Sequence, residues 1–113
     1  MKIDRELMRG AGPLAVLQIL ERGEMYGYQL VEALSSLPNG ALSMGQSTVY
    51  PMLYNLEAKG LVQARWDEGA SGRNRKYYSL TDEGRTYLAS QRQQWRSLFG
   101  ALASLGITGS AES

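Results

Sequence analysis

The residues that can end a helix or turn the chain divide this sequence into six segments, and their lengths constrain the fold more than any composition value. Leu14 to Leu20 is apolar except at Gln18 and ends in Glu21-Arg22-Gly23. It reads as a buried helix stopped by Gly23, a residue that takes left-handed backbone without a Cβ clash. Gly12-Pro13 predicts its start, with Pro in the first turn and Ile3 to Arg9 as a separate or kinked helical turn. Tyr26 to Leu37 spaces Leu30, Val31, Leu34 and Leu37 as one helical face with Gln29, Glu32 and Ser36 between them. Pro38-Asn39-Gly40 breaks it. Ser43-Met44-Gly45-Gln46 has the form of a capping box, predicting a third helix to about Lys59 with Gly60 as its stop. Its inward stripe is Val49, Met52 or Leu53, and Leu56, and Pro51 should remove one of its hydrogen bonds.

The pattern then changes. Leu61 to Asp67 and Arg75 to Leu80 are rich in Val, Trp and Tyr and flank the turn-forming run Glu68-Gly69-Ala70-Ser71-Gly72, so they predict a β-hairpin. Thr81 is a candidate N-cap, with Asp82 and Glu83 at the positive end of a last helix. Along it Leu88, Trp95 and Leu102 recur every seventh residue, as do Gln91, Leu98 and Leu105, with Phe99 beside them. This is a seam for lengthwise packing on another helix. From Ile107 the chain has too little apolar content to order itself. The expected class is mostly α with a small β-hairpin: a winged helix-turn-helix over residues 1–81, a C-terminal dimerisation helix over 82–106 and a disordered tail over 107–113.

Composition removes most chemistry. With 113 residues, one domain with one modest core is expected. Zero Cys and zero His exclude disulfides, thiolate metal sites, Cys nucleophiles and the commonest general base, so neither enzyme, metal nor cofactor is expected. No apolar run approaches the roughly 20 residues a membrane helix needs, and charges at Lys2, Asp4, Arg5, Glu6 and Arg9 argue against a signal peptide. A soluble, cytoplasmic protein is the expectation. The formal net charge of +1 hides an asymmetry, because Lys59 to Ser79 alone carries +3. That charge lies at the end of the third helix and on the hairpin, where a winged helix meets a phosphate backbone.

The candidate nucleic-acid residues follow from this placement. Gln46, Ser47, Thr48 and Tyr50 occupy the first two turns of the third helix, where short polar side chains reach base edges or phosphates. Tyr54 stands a turn further on and Lys59 at the end. Arg73, Arg75 and Lys76 supply permanent charge at the hairpin tip. Adjacent strand residues face opposite ways, so one of Tyr77 and Tyr78 should be core, and Trp66 is expected to pack in support of the hairpin.

Three blocks carry a resemblance: GYQL at Gly27 to Leu30, STVYPMLYNLEAKGLV at Ser47 to Val62, and GRNRKYYSLTDEG at Gly72 to Gly84. In their order and spacing they resemble the PadR-like family of bacterial transcriptional regulators. The chain departs from that pattern at Tyr26, where the family often carries His, and at Asn74, which interrupts the basic run. The resemblance implies a homodimeric repressor of a nearby operon that binds a palindromic double-stranded operator and is released by a small molecule. One C-terminal helix resembles the short members, some of which stack flat aromatic compounds on a Trp at the position of Trp95. A Trp beside polar Gln91 would also push paired helices apart, consistent with a cavity at the dimer axis. The competing expectation is a winged-helix adaptor whose basic hairpin meets an acidic protein instead of DNA.

Overall fold

The computed structural model describes residues 3–68 and 74–108. Helix α1 (Arg5–Leu20) is followed by strand β1 (Met25–Tyr26), α2 (Gly27–Ser35), a 3-10 turn at Pro38–Gly40, α3 (Gln46–Ala58), β2 (Val62–Asp67), β3 (Arg75–Leu80) and α4 (Asp82–Ser104).

Helix α1 is continuous, which corrects the expected start near Gly12-Pro13. The Asp4 carboxylate accepts the Glu6 backbone N–H at 2.9 Å and so starts the helix a full two turns earlier. Pro13 sits inside it, where its ring forgoes one helical bond. The loss is offset by packing: Val16, Leu17, Ile19 and Leu20 are buried in the core, and a Cβ on Gly12 would come within 2.9 Å of the Met52 side chain. Tertiary contact overrides local propensity here.

The start of α3 differs too. Its N-cap is Gly45, and Ser43 lies two residues upstream with its hydroxyl 3.2 Å from that of Ser35, so the Ser43–Gln46 capping box does not form. The reciprocal half of such a box appears instead on α2, where the Tyr26 N–H donates to Gln29 Oε1 at 3.0 Å. Pro51 falls within α3, and Val49, Leu53 and Leu56 form its buried stripe. At the far end Gly60 has φ +78°, with the Leu61 N–H donating to the Leu56 carbonyl and the Gly60 N–H to that of Glu57, each at 3.0 Å. This is a Schellman stop, which turns the chain directly into β2.

Strands β2 and β3 pair antiparallel from Val62↔Leu80 to Asp67↔Arg75, as the alternation predicts; the loop of residues 69–73 lies outside the described residues. Strand β1 adds an edge, Met25↔Tyr78 and Tyr26↔Tyr77, giving the order β1-β3-β2. Two residues are too few for sequence alternation to reveal.

Thr81 caps α4 as expected, its hydroxyl accepting the Gly84 N–H at 2.9 Å while donating to the Gly60 carbonyl at 2.7 Å. Gly84 is packed so closely that a Cβ there would overlap the Leu61 carbonyl oxygen. Both features tie the start of α4 to the α3–β2 corner. The core gathers α1, α2, α3, the sheet and the first turns of α4, with Leu17, Leu30, Leu34, Leu53, Tyr78 and Leu88 all sealed from solvent. Helix α4 has 23 residues and is about 34 Å long, in a molecule 56 Å along its longest axis.

Candidate nucleic-acid interface

The buried stripe of α3 leaves an outward face, and helical geometry assigns the candidate residues to different sides of it. Gln46, Ser47, Thr48, Tyr54 and Lys59 are exposed, while Tyr50 is half-buried. Tyr50 rests on α2, since a Cβ on Gly27 would overlap its ring. Tyr50 and Tyr54, with ring centroids 6.5 Å apart, border a cleft of about 590 Å³ between α3 and the hairpin, together with Arg75 and Lys76. Thr48 instead faces a different cleft beside Arg5 and Ser43, and Lys59 faces α4. The structure thus joins Tyr50, Tyr54, Arg75 and Lys76 and separates Thr48 and Lys59 from them. Arg73 lies outside the described residues.

Charge on the hairpin is less free than the sequence count suggests. Arg65 is paired with Glu24, its Nε donating to Oε2 at 2.9 Å. The hydrogen bond holds the Glu24 carboxyl below its usual range and raises the already high Arg65 value. Lys76 Nζ donates to Glu57 Oε1 at 3.3 Å and lies 5.3 Å from the ring centroids of both Tyr54 and Tyr78. Partial burial pushes the Lys76 amine down, but Tyr78 and Glu57 outweigh it and leave it above its ordinary value. Burial raises the Tyr78 phenol in turn, with Lys76 opposing. Arg75 is exposed and, among the described residues, has no carboxylate partner; its guanidinium stacks 4.6 Å from the Tyr26 ring centroid. Glu24 and Glu57 lie outside the Lys59–Ser79 stretch, so a linear count cannot register them.

Tyr78 is core and Tyr77 faces the other side, as the alternation requires. Trp66 does not pack beneath the hairpin. It is 66% exposed, because its position opposite Lys76 lies beyond the reach of the core, and it borders the α3–hairpin cleft. Tyr28, 46% exposed at the start of α2, borders the same cleft. Neither was legible as a site residue, since burial is what separates a packing aromatic from a contacting one.

On α4 the heptad seam divides. Leu88 is fully buried in the chain's own core, so it has no surface to offer a second copy, which corrects its place in the dimerisation seam. Gln91 and Trp95 are half-buried and border a cleft of about 220 Å³ shared with Lys59 and Asn55 of α3 and Gly10 of α1. Trp95 lies against Gly10 and meets the Phe99 ring edge-on at 5.7 Å. Beyond it Leu98, Phe99 and Leu105 are exposed at 47%, 53% and 75%, with Leu102 half-buried. Between Gln91 and Trp95, Arg92 reaches back to α1, its Nη1 donating at 2.9 Å to both Gln18 Oε1 and Glu21 Oε1. No described helix is long and apolar enough to cross a membrane.

A helical body whose second and third helices are joined by the connection of residues 36–45, with a hairpin flanking the third, defines a winged helix-turn-helix protein. Residues 16–90 match the transcriptional regulator PadR-like family, and the chain belongs to it. It is 32% identical over 94 residues to the transcriptional regulator Rv3488 of Mycobacterium tuberculosis, covering 83% of this chain and 84% of that one. Among solved structures, a PadR family regulator from Eggerthella lenta superposes with TM-score 0.78 at 39% identity, over 88% of this chain and 85% of the other. Bacillus subtilis PadR in complex with operator DNA superposes with TM-score 0.67 at 28% identity, over 74% of this chain and 47% of that chain.

Proposed function

We propose that this transcriptional regulator is a cytoplasmic homodimer that binds a palindromic operator in double-stranded DNA and represses a nearby operon. Each α3 reads one half-site, the two lying about 10 bp apart. The observation that carries this reading is the convergence of Tyr50 and Tyr54 on α3 with Arg75 and Lys76 on the wing around one cleft, with Ser47 and Gln46 exposed at the start of the same helix. The likeness to a PadR whose structure holds operator DNA supports it. The pairing surface of the dimer is the distal part of α4, from Gln91 and Trp95 through Leu98, Phe99, Leu102 and Leu105.

A small flat aromatic effector releases the operator by binding at Trp95. Its cleft supports this reading, because it is bounded by α4 on one side and by Asn55 and Lys59 of α3 on the other, so an occupant touches the reading helix directly. The test of the DNA reading is binding to duplex selected on the wild-type protein, followed across salt concentrations. Arg75→Ala with Lys76→Ala should weaken binding and flatten the slope of log affinity against log salt, by up to about 0.9 for each phosphate no longer neutralised. Wild-type affinity and slope in that double variant would exclude the wing from the interface.

A further inference from the structure

An exposed tryptophan on a small protein is costly to leave in water, and Trp66 is the largest exposed side chain beside α3. It shares its cleft with Tyr28, Tyr50, Tyr54, Arg75 and Lys76, and no carboxylate is among the described residues that border it. Two acids stand near it, Glu57, which is bound to Lys76, and Asp67, which lies opposite Arg75 in the β2–β3 ladder. The cleft therefore combines apolar faces with phenolic hydroxyls and cations, on a floor made by the buried Tyr78.

Geometry narrows what can lie there. An α-helix with its side chains, about 10–12 Å across, fills a B-DNA major groove about 12 Å wide. With α3 in the groove, the hairpin beside it must stand across one of the two strands that wall the groove, and that strand runs through the space between them. A sugar–phosphate strand alternates an apolar deoxyribose with an anionic phosphate, the same alternation the cleft presents.

We propose that the α3–hairpin cleft seats one sugar–phosphate strand of the duplex, with Trp66 packed against a deoxyribose and Tyr28, Tyr54 and Arg75 bonded to its phosphates. This rests on α3 being the DNA-reading helix and adds Trp66 and Tyr28 to the contact surface. Trp66 contributes by contact and shape; Arg75 contributes charge. The two roles separate experimentally, because replacing a neutral ring removes no phosphate neutralisation.

The probe is a fluorescein-labelled 40-bp duplex enriched from a random pool on the wild-type protein, read by anisotropy. Trp66→Ala should bind about tenfold more weakly with an unchanged salt slope, and Trp66→Phe should recover most of the loss. Arg75→Ala should lower the slope by about one. With 5-fluorotryptophan incorporated, the Trp66 19F resonance, assigned by its disappearance in Trp66→Phe, should shift on saturation with the duplex. Because Trp66 is exposed, the fold of these variants should be intact, checked by unchanged melting. Trp66→Ala binding within twofold of wild type, or an unmoved Trp66 resonance in a saturated complex, overturns the proposal while leaving α3 as the reading helix. Failure of the wild-type protein to enrich or bind any duplex overturns both, and tight binding of a polyglutamate peptide in the same assay would then identify an acidic protein partner.

Discussion

The two halves of α4 carry the same kind of sequence and meet opposite circumstances. From Asp82 to Leu88 the helix is held by the Thr81 cap, by the approach of Gly84 to the Leu61 carbonyl and by burial of Leu88 among residues of every other layer. From Trp95 onward Leu98 and Phe99 are about half exposed and Leu105 three-quarters exposed. One helix thus serves as core at one end and as a bare apolar ridge at the other. The period of the hydrophobic pattern is identical in both, so only burial distinguishes a residue that holds the chain together from one available to a partner.

That contrast can be broken most directly at its proximal end. Gly84→Ala drives a methyl group into a backbone oxygen that cannot rotate away, so the α3–β2 corner must shift. We expect a loss of more than about 3 kcal/mol in urea unfolding, and a cost below about 1 kcal/mol would show that the corner is softer than this packing implies. Leu88→Ala leaves a cavity in the centre of the core and should cost about 3 kcal/mol. The equivalent truncation Leu98→Ala removes a half-exposed side chain and should leave the stability of the isolated chain within about 0.5 kcal/mol of wild type. Equal losses at both positions would erase the distinction between the halves.

Much of this architecture was legible in the sequence because the signals were local. Thr81 followed by two acids, Gly60 after a helical stripe, and two alternating strands around a glycine-rich turn each specify their geometry within a few residues. What escaped depends on contacts between distant segments. Strand β1 exists because Met25 and Tyr26 pair with β3, some fifty residues later, and two residues carry no period of their own. The α1 start moved to Asp4 because burial outweighs an interior proline, and the Ser43 box failed because Gly45, one residue before Gln46, takes the cap. The site was partly legible for the same reason. Tyr54, Arg75 and Lys76 stand on elements that local patterns locate, whereas Glu24 and Glu57 neutralise cations far away in sequence and the exposure of Trp66 is decided by where the core ends.

The distal half sharpens the comparison from the other side. If its apolar ridge pairs two copies of the chain, introducing charge there should dissociate the assembly without unfolding either copy. Leu98→Asp combined with Phe99→Asp should raise the dimer dissociation constant at least about a hundredfold in sedimentation equilibrium, with far-ultraviolet circular dichroism unchanged. Operator affinity should fall with it, because two linked half-site contacts become one. A dimer that survives the double substitution would place the pairing surface elsewhere.

The smallest effect lies at the boundary between the halves, where Arg92 binds Gln18 and Glu21 and makes the last polar tie of α4 to α1. The hydrogen bond from Arg92 holds the Glu21 carboxyl below its ordinary value, outweighing the opposing effect of desolvation. A carboxyl depressed in the folded state stabilises that state above its unfolded value, about 4.3 for Glu, and the contribution disappears as pH falls through the lower folded value. The Glu24–Arg65 pair has the same sign, so the two losses add on the acid side and neither makes stability vary between about pH 6 and 8. Both pairs are partly exposed and screened by salt, which keeps the effect small. Arg92→Gln should therefore lower the neutral-pH melting temperature slightly and converge on wild type as pH falls below about 4.5, the difference being largest at low salt. A neutral-pH melting temperature and an acid decline both equal to those of wild type would mean that Glu21 gains nothing from Arg92.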